Sequence, residues 1–265
     1  MPRERRAGYD TFWQDWQRGA RRALALHCAQ GHSGMWAPVA GALPLHVTAF
    51  DLPGHGHSAP WPADRDFQGA CAEIAATFCD GPTDLIGHSF GATVALRLAL
   101  ERPELCRSLS LVEPVFFAAA RAAGAPEATQ HDRDFAPFLA AAGAGDHMTA
   151  ARVFSDLWSE GPSFDSLDPS RQARLAAQVP LVMAGAPGIE EDSGEMLAPG
   201  RLEALSVPVL LIRGARTQPM VGAVHRALIA RLPDAREEVI EGAGHMVPVV
   251  RPGPVAEAIR RHLSP

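Results

Sequence analysis

The stretch Gly87-His88-Ser89-Phe90-Gly91 decides the predicted fold, because it lies between a strand pattern and a helix pattern. The apolar run at residues 83–87 predicts a buried strand, and residues 90–102 have the spacing of a helix. A serine between two glycines at such a junction is typical of a sharp turn that presents a nucleophile. A chance turn without a chemical role is the alternative, and the flanking strand and helix disfavour it. We therefore predict that Ser89 is a nucleophile at the carboxyl edge of a sheet.

The chain on both sides of this turn alternates between short apolar runs and helical patterns. This alternation is typical of a mostly parallel sheet with helices on both faces. Besides the run before Ser89, strands are predicted at residues 23–27, 46–50, 108–112, 207–212 and 236–240. Helices are predicted at residues 67–79, 90–102, 220–232 and 254–263. The sequence therefore predicts an α/β fold with a doubly wound sheet of six strands.

Residues 115–200 interrupt the alternation. They contain alanine-rich helical stretches at residues 116–123, 135–142, 149–158 and 169–177. Their one strand-like run, residues 179–182, contains a proline, which disfavours a buried strand. We interpret this segment as a helical cap inserted over the strand ends, with residues 1–114 and 201–265 forming the core.

A serine nucleophile needs a base, and the chain has 11 histidines. His245 follows the last predicted strand and precedes the last predicted helix. Loops that follow parallel strands converge on one sheet edge, the edge that holds Ser89, so His245 is the candidate base. The alternative is a loop histidine bonded only to backbone. His55, His57 and His88 are assigned to shaping turns, since no carboxylate or cysteine ligands accompany them at the spacing of a metal site.

Taken together, these features resemble the α/β-hydrolase superfamily over essentially the whole chain. The landmarks, in family order, are Leu-His-Cys-Ala at residues 26–29, Asp-Leu-Pro-Gly-His-Gly-His-Ser at 51–58, the serine turn at 87–91 and Gly-His at 244–245. The resemblance implies an α/β-hydrolase fold with a helical cap. It also implies an oxyanion hole formed by the backbone N–H groups of Ala29 and Phe90. Cys28 stands where the family usually has glycine, so we expect a slightly different loop there.

The acid that would orient His245 departs from the family's usual position. The family most often places it three residues after a glycine behind the penultimate strand, and this chain has Thr217 there. Glu113 directly follows the preceding predicted strand, a position that some family members use. We therefore predict Glu113 as the acid. A structural role for Glu113, or Asp192 or Asp234 as the acid, are the alternatives.

Aromatic residues near the predicted site point to an apolar substrate pocket. Phe116 and Phe117 come at the start of the insertion, so we expect them to line a pocket above Ser89. We expect Trp36 to flank the same pocket from the oxyanion side. The other aromatic residues of the insertion are expected to form the core of the cap, as aromatic residues at helical spacing usually do.

Composition and charge exclude several classes of protein. The chain has 265 residues, of which 47% are hydrophobic and 20% charged, so it can bury a sizeable core. Its net charge of −6 disfavours nucleic acid or an anionic membrane as a partner. It contains no lysine, which excludes Schiff-base chemistry on lysine. The start of the chain has no apolar leader, and its cysteines lack metal-site spacing, so we expect a cytoplasmic protein.

These observations lead to one predicted function and three alternatives. The prediction is a cytoplasmic serine hydrolase that cleaves an ester, thioester or lactone of a small apolar acid and needs no cofactor and no metal. Its partner would be a small-molecule substrate, and the sequence leaves open whether the chain forms a homodimer. The alternatives are a carbon–carbon bond hydrolase or a cofactor-free perhydrolase with the same site, or a small-molecule receptor without catalysis.

Overall fold

The computed structural model describes residues 2–63 and 65–264, and an eight-stranded sheet lies at its centre. Residues 1, 64 and 265, which fall within the predicted core, lie outside the described residues. The strands are β1 (Arg3–Arg6), β2 (Tyr9–Gln17), β3 (Arg22–Leu26), β4 (His46–Phe50), β5 (Thr83–His88), β6 (Cys106–Val112), β7 (Val209–Gly214) and β8 (Ala235–Ile240). Their order in the sheet is β1-β2-β4-β3-β5-β6-β7-β8. Strands β3 to β8 are parallel, as predicted.

The described residues form 11 α-helices around the sheet and in the segment between β6 and β7. They are α1 (Ala37–Ala42), α2 (Phe67–Ala76), α3 (Phe90–Glu101), α4 (Phe117–Ala122), α5 (Glu127–Gly143), α6 (His147–Trp158), α7 (Pro169–Ala177), α8 (Val179–Glu190), α9 (Pro219–Ile229), α10 (Val247–Val250) and α11 (Pro252–Leu263). Across the described ranges, we find no helix that combines the length and the apolar character needed to cross a bilayer.

The sheet has two strands more than predicted, both at one edge. β1 pairs antiparallel with β2, and β2 pairs antiparallel with β4. β1 is a charged strand whose side chains are mostly exposed, and β2 buries few residues. A search for apolar runs therefore missed both. Charged residues on such an edge disfavour pairing with another chain.

Both faces of the sheet are buried, which explains the continuous apolar runs of its strands. All six residues of β5 are buried. Leu85 packs into the cluster on one face, with side chains of α2, α3 and α9. Ile86 packs into the cluster on the other face, with side chains of α1 and α11. Burying each such side chain contributes about 1.5–3 kcal/mol to stability.

The segment between β6 and β7 consists of helices α4 to α8, and its described residues form no strand. The strand-like run at residues 179–182 is the first turn of α8, where Pro180 fits because its missing N–H is not needed. Helices α5 to α8 share a small core of their own around Phe138 and Val179. The buried side chains of α4 belong to the main core instead. The division at residue 115 therefore stays a prediction.

Candidate active site

Ser89 sits on a strained turn between β5 and α3. Its backbone is left-handed, with φ 56° and ψ −118°, which is rare for a residue with a side chain. A Cβ on Gly87 would lie 2.4 Å from the carbonyl oxygen of Gly91. A Cβ on Gly91 would lie 2.4 Å from the carbonyl oxygen of Leu26. Both glycines are therefore required for the turn to close, and the turn raises the serine hydroxyl above the sheet edge.

His245 lies between Ser89 and Glu113, and all three residues are buried. The Ser89 hydroxyl donates to His245 Nε2 over 2.9 Å. His245 Nδ1 donates to Glu113 Oε2 over 3.0 Å. In this assignment the imidazole is neutral and carries its proton on Nδ1, the form that can accept the serine proton. The three residues predicted from the sequence thus form one chain of hydrogen bonds.

Glu113 is held by more than His245. Its backbone is left-handed, with φ 52°, directly after β6. Glu113 Oε1 accepts from the N–H of Gly214 over 2.6 Å. The hydroxyl of Thr217 donates to Glu113 Oε2. Thr217, at the position where the family most often has its acid, therefore supports the carboxylate that comes from the neighbouring strand. The amino-acid sequence alone does not indicate this role of Thr217.

The other candidate acids lie elsewhere. Both carboxylate oxygens of Asp192 accept from backbone N–H groups of its own turn, those of Met196 at 2.7 Å and Leu197 at 2.8 Å. Asp234 lies in the turn before β8, and its carbonyl oxygen accepts from the N–H of Val209. The carboxylate that accepts the hydrogen bond from His245 Nδ1 is that of Glu113.

The two predicted oxyanion donors both line the cavity that contains Ser89. Phe90 is the first residue of α3, so its N–H has no preceding helical turn to bind. In the part of the chain that the structure describes, the N–H of Ala29 likewise has no backbone or side-chain acceptor. Their role as an oxyanion hole stays a prediction.

Two buried histidines fix the loop that carries Ala29: His55, which was assigned to shaping a turn, and His27, for which no role was predicted. His27 donates from Nδ1 to the carbonyl of the following residue over 2.7 Å and accepts at Nε2 from the N–H of Leu52 over 2.9 Å. His55 accepts at Nε2 from the N–H of Gln30 over 3.1 Å. Burial holds the pKa of His27 well below its usual range and lowers the pKa of His55 to about 4. Both rings are therefore neutral acceptors at neutral pH.

A cavity of about 360 Å³ opens above Ser89, between the sheet and the helices that follow β6. Several aromatic side chains line its wall, those of Phe67, Phe90, Phe117, Phe135, Phe138, Phe154 and Trp158. Charged side chains at its wall are Glu160, Arg171 and Glu190. The cavity therefore offers a largely apolar surface next to the serine hydroxyl.

A family model described as "Alpha/beta hydrolase family" matches residues 23–258. The chain belongs to the alpha/beta hydrolase family. This match confirms the resemblance inferred from the sequence, and the mostly parallel eight-stranded sheet confirms the predicted fold class.

Two curated relatives and one solved structure illustrate what this hydrolase is similar to. Lipase LipV of Mycobacterium tuberculosis is 30% identical over 260 residues, covering 93% of this chain and 95% of the lipase. A pimeloyl-(acyl-carrier protein) methyl ester esterase of Neisseria meningitidis serogroup B is 35% identical over 212 residues, 75% of each chain. An esterase structure from Exiguobacterium antarcticum matches with a TM-score of 0.76 at 16% identity, covering 98% of each chain, a likeness of fold. The prediction of a hydrolase enzyme is confirmed by the family and the curated relatives.

Two of the predicted pocket residues of this hydrolase lie outside the cavity, which corrects the sequence analysis. Trp36 is 1% exposed and packs into the core on the face of α1 and α11, while its neighbour Met35 lines the cavity. Phe116 is fully buried in the main core, while Phe117 lines the cavity. Adjacent residues point in different directions, so a run of apolar letters cannot show which one faces the substrate.

Two further polar groups of this hydrolase lie near Ser89 and His245. His88 donates from Nε2 to the carbonyl oxygen of His245 over 2.9 Å, which helps to fix the loop that carries the base. Burial and the neighbouring His245 ring lower the pKa of His88 to about 3, so His88 stays neutral. Burial raises the pKa of the Cys28 thiol to about 12, so this cysteine of the cavity wall stays protonated and is a poor nucleophile.

Proposed function

We propose that this chain is a serine ester hydrolase for esters, thioesters or lactones of small to medium apolar acids. The observation that supports the proposal is the hydrogen-bond chain from Ser89 Oγ through His245 to Glu113. A serine hydroxyl bonded to a neutral imidazole, itself held by a buried carboxylate, is the arrangement of an activated nucleophile.

The proposed reaction has two steps. Ser89 Oγ attacks the carbonyl carbon while His245 Nε2 takes the hydroxyl proton, and the N–H groups of Ala29 and Phe90 stabilise the negative oxygen. His245 then gives that proton to the leaving alkoxide or thiolate, which leaves an acyl group on Ser89. A water molecule then loses a proton to His245 and attacks the acyl group. As the bond to Ser89 Oγ breaks, His245 returns that proton to Oγ, which releases the acid and free Ser89. Glu113 balances the charge of the imidazolium in both steps.

The wall of the cavity supports an apolar acyl group. Seven phenylalanine and tryptophan side chains line it, and burying apolar surface against them favours hydrocarbon chains over charged groups. Two curated relatives carry names that include lipase and methyl ester esterase, which supports an ester as the bond that is cleaved.

The proposal is tested with a fluorophosphonate probe and a series of p-nitrophenyl esters of increasing acyl length. The wild type should be labelled and should prefer short to medium apolar chains over charged acids, whereas Ser89→Ala should be neither labelled nor active. Ser155→Ala removes another buried serine of the cavity wall and should remain labelled. Labelling of Ser89→Ala, or a folded wild type that is neither labelled nor active, would contradict the proposal.

A further inference from the structure

The loop that carries His245 is bound by a carboxylate from the segment between β6 and β7. Glu160 lies just after the end of α6. Its Oε1 accepts from the N–H of Gly244 over 2.7 Å, and its Oε2 accepts from the N–H of Met246 over 3.0 Å. The two bonds hold the residues directly before and after His245. A single side chain therefore fixes the backbone on both sides of the proposed base.

Further contacts connect the same region to His245. The ring of Trp158, the last residue of α6, packs against the imidazole of His245 with 4.7 Å between ring centroids. The guanidinium of Arg216 lies 3.6 Å from Glu160 Oε1 and donates to the carbonyl of Gly242 over 2.9 Å. The end of α6 and the loop after it therefore cover the histidine loop, and a positive charge lies beside the carboxylate.

Glu160 accepts two hydrogen bonds from the histidine loop that no described residue of the sheet core accepts. From the core side, His88 holds the carbonyl oxygen of His245. The N–H groups on either side of His245 bind Glu160 alone among the described side chains. Since a carboxylate binds N–H donors more strongly than a neutral acceptor does, its loss would leave this backbone free to rotate.

We propose that Glu160 is a positioning residue that holds His245 in line between Ser89 and Glu113, so that the base is correctly placed only while the loop after α6 is docked on the histidine loop. This inference rests on the proposed function. Glu160 itself touches neither the reacting atoms nor the proton that moves.

The test compares Glu160→Ala and Glu160→Gln with the matched control Glu127→Gln. Glu127 also joins the segment between β6 and β7 to the core, through Arg226, and its side chain is 23% exposed, as is that of Glu160. Glu160→Ala should lower kcat for an apolar ester about 10- to 100-fold, as expected for a misplaced catalytic group, and change KM much less. Glu160→Gln should fall between, because its amide keeps one acceptor oxygen but turns its NH₂ towards the second N–H. Glu127→Gln should retain the wild-type kcat.

Two further measurements separate positioning from a general loss of structure. Added formate should restore part of the kcat of Glu160→Ala, since a small carboxylate can occupy the vacated space between the two N–H groups. The proton on His245 Nδ1 should give a downfield NMR signal in the wild type and in Glu127→Gln, and the signal should weaken in Glu160→Ala. This signal does not depend on turnover.

The outcomes distinguish this inference from the proposed function. A wild type without esterase activity whose Nδ1 signal weakens in Glu160→Ala would contradict the proposed function and support the positioning role. An active wild type with unchanged kcat and Nδ1 signal in Glu160→Ala would overturn the positioning role. So would a Glu160→Ala variant whose kcat, KM and melting temperature all deteriorate together without any rescue by formate.

Discussion

Both carboxylate oxygens of Glu113 accept hydrogen bonds. Gly214 binds one oxygen, and Thr217 and His245 bind the other. The backbone at Glu113 is left-handed and donates its N–H to the carbonyl of Ile212 over 2.7 Å, so the side chain starts from a fixed position. An uncharged replacement of the same shape would meet three hydrogen-bond donors with a single acceptor oxygen.

Glu113→Gln should therefore lower kcat strongly while the fold and the access of the probe to Ser89 are retained. The amide can donate to His245 Nδ1 and stabilise the wrong tautomer, and it cannot balance the imidazolium. The equivalent change in a serine protease costs about 10⁴ in kcat, and we expect at least ~10² here. Steady-state kinetics on a p-nitrophenyl ester measure the change in kcat, and the melting temperature serves as the control for folding.

The position of Thr217 supplies a second variant for the same prediction. Because its hydroxyl already reaches Glu113 Oε2, Thr217→Asp in the Glu113→Gln background should bring a carboxylate near His245 and restore part of kcat. Glu113→Gln with wild-type activity would show that the carboxylate has only a structural role.

The sequence predicts some residues of the site because they follow strands of a parallel sheet. Ser89, Glu113 and His245 come directly after or near the ends of β5, β6 and β8, and the ends of parallel strands meet at one edge. Glu160 has no such signal. It lies in a loop between two helices, 84 residues before Gly244 in the chain, and no spacing rule connects them.

At the scale of helices and strands, the buried elements are the ones that the sequence predicts best. Strands β3 to β7 are mostly buried, and the sequence predicts their bounds to within about two residues at each end. β8 buries only Ile240 and is predicted as well, whereas the polar strands β1 and β2 are not. Helix α5 begins at Glu127, before the predicted start at residue 135. Its first two turns are polar and carry no apolar stripe, so the sequence pattern does not indicate them. An apolar pattern arises from contact with the core, so a polar element at the surface does not have one.

We expect the aromatic side chains of helices α4 to α6 to limit the length of the acyl chain that the cavity accepts. Phe154 on α6 is half-buried and lines the cavity, so Phe154→Ala should enlarge the acyl site and move the preferred p-nitrophenyl ester to a longer chain. The rate for a longer ester relative to acetate should rise, with a stability loss below the ~3–5 kcal/mol of a fully buried phenylalanine. An unchanged order of preference would place the acyl group elsewhere in the cavity.

At the scale of the whole molecule, buried neutral histidines should set the response of stability to acid. The pKa of His55 is lowered to about 4 and that of His88 to about 3, both chiefly by burial, and the pKa of His27 lies well below its usual range. In the unfolded chain a histidine pKa is about 6.5. Between these values the unfolded state binds protons that the native state does not, so stability is complete above pH ~6.5 and falls as the pH decreases towards ~4.

Urea unfolding at several pH values between 8 and 5 should show this loss. Each such histidine adds up to about 1.4 kcal/mol per pH unit to the slope of the free energy of unfolding. His55→Gln should reduce this slope by about the contribution of one histidine. At pH 8, the difference between the variant and the wild type in the free energy of unfolding should reflect the altered hydrogen bonds alone. A free energy of unfolding that stays constant from pH 8 to 5 would contradict the prediction.

The bond between Glu160 and the histidine loop also limits how this enzyme can be recombined with its relatives. Exchanging the helices between β6 and β7 is an obvious way to transplant a new specificity, since both ends of the segment join neighbouring strands. A transplanted segment without a carboxylate in the place of Glu160 would leave the N–H groups of Gly244 and Met246 without their acceptor. Such a chimera would inherit the binding preference of the donor without its rate, unless the exchange also preserved a carboxylate at position 160.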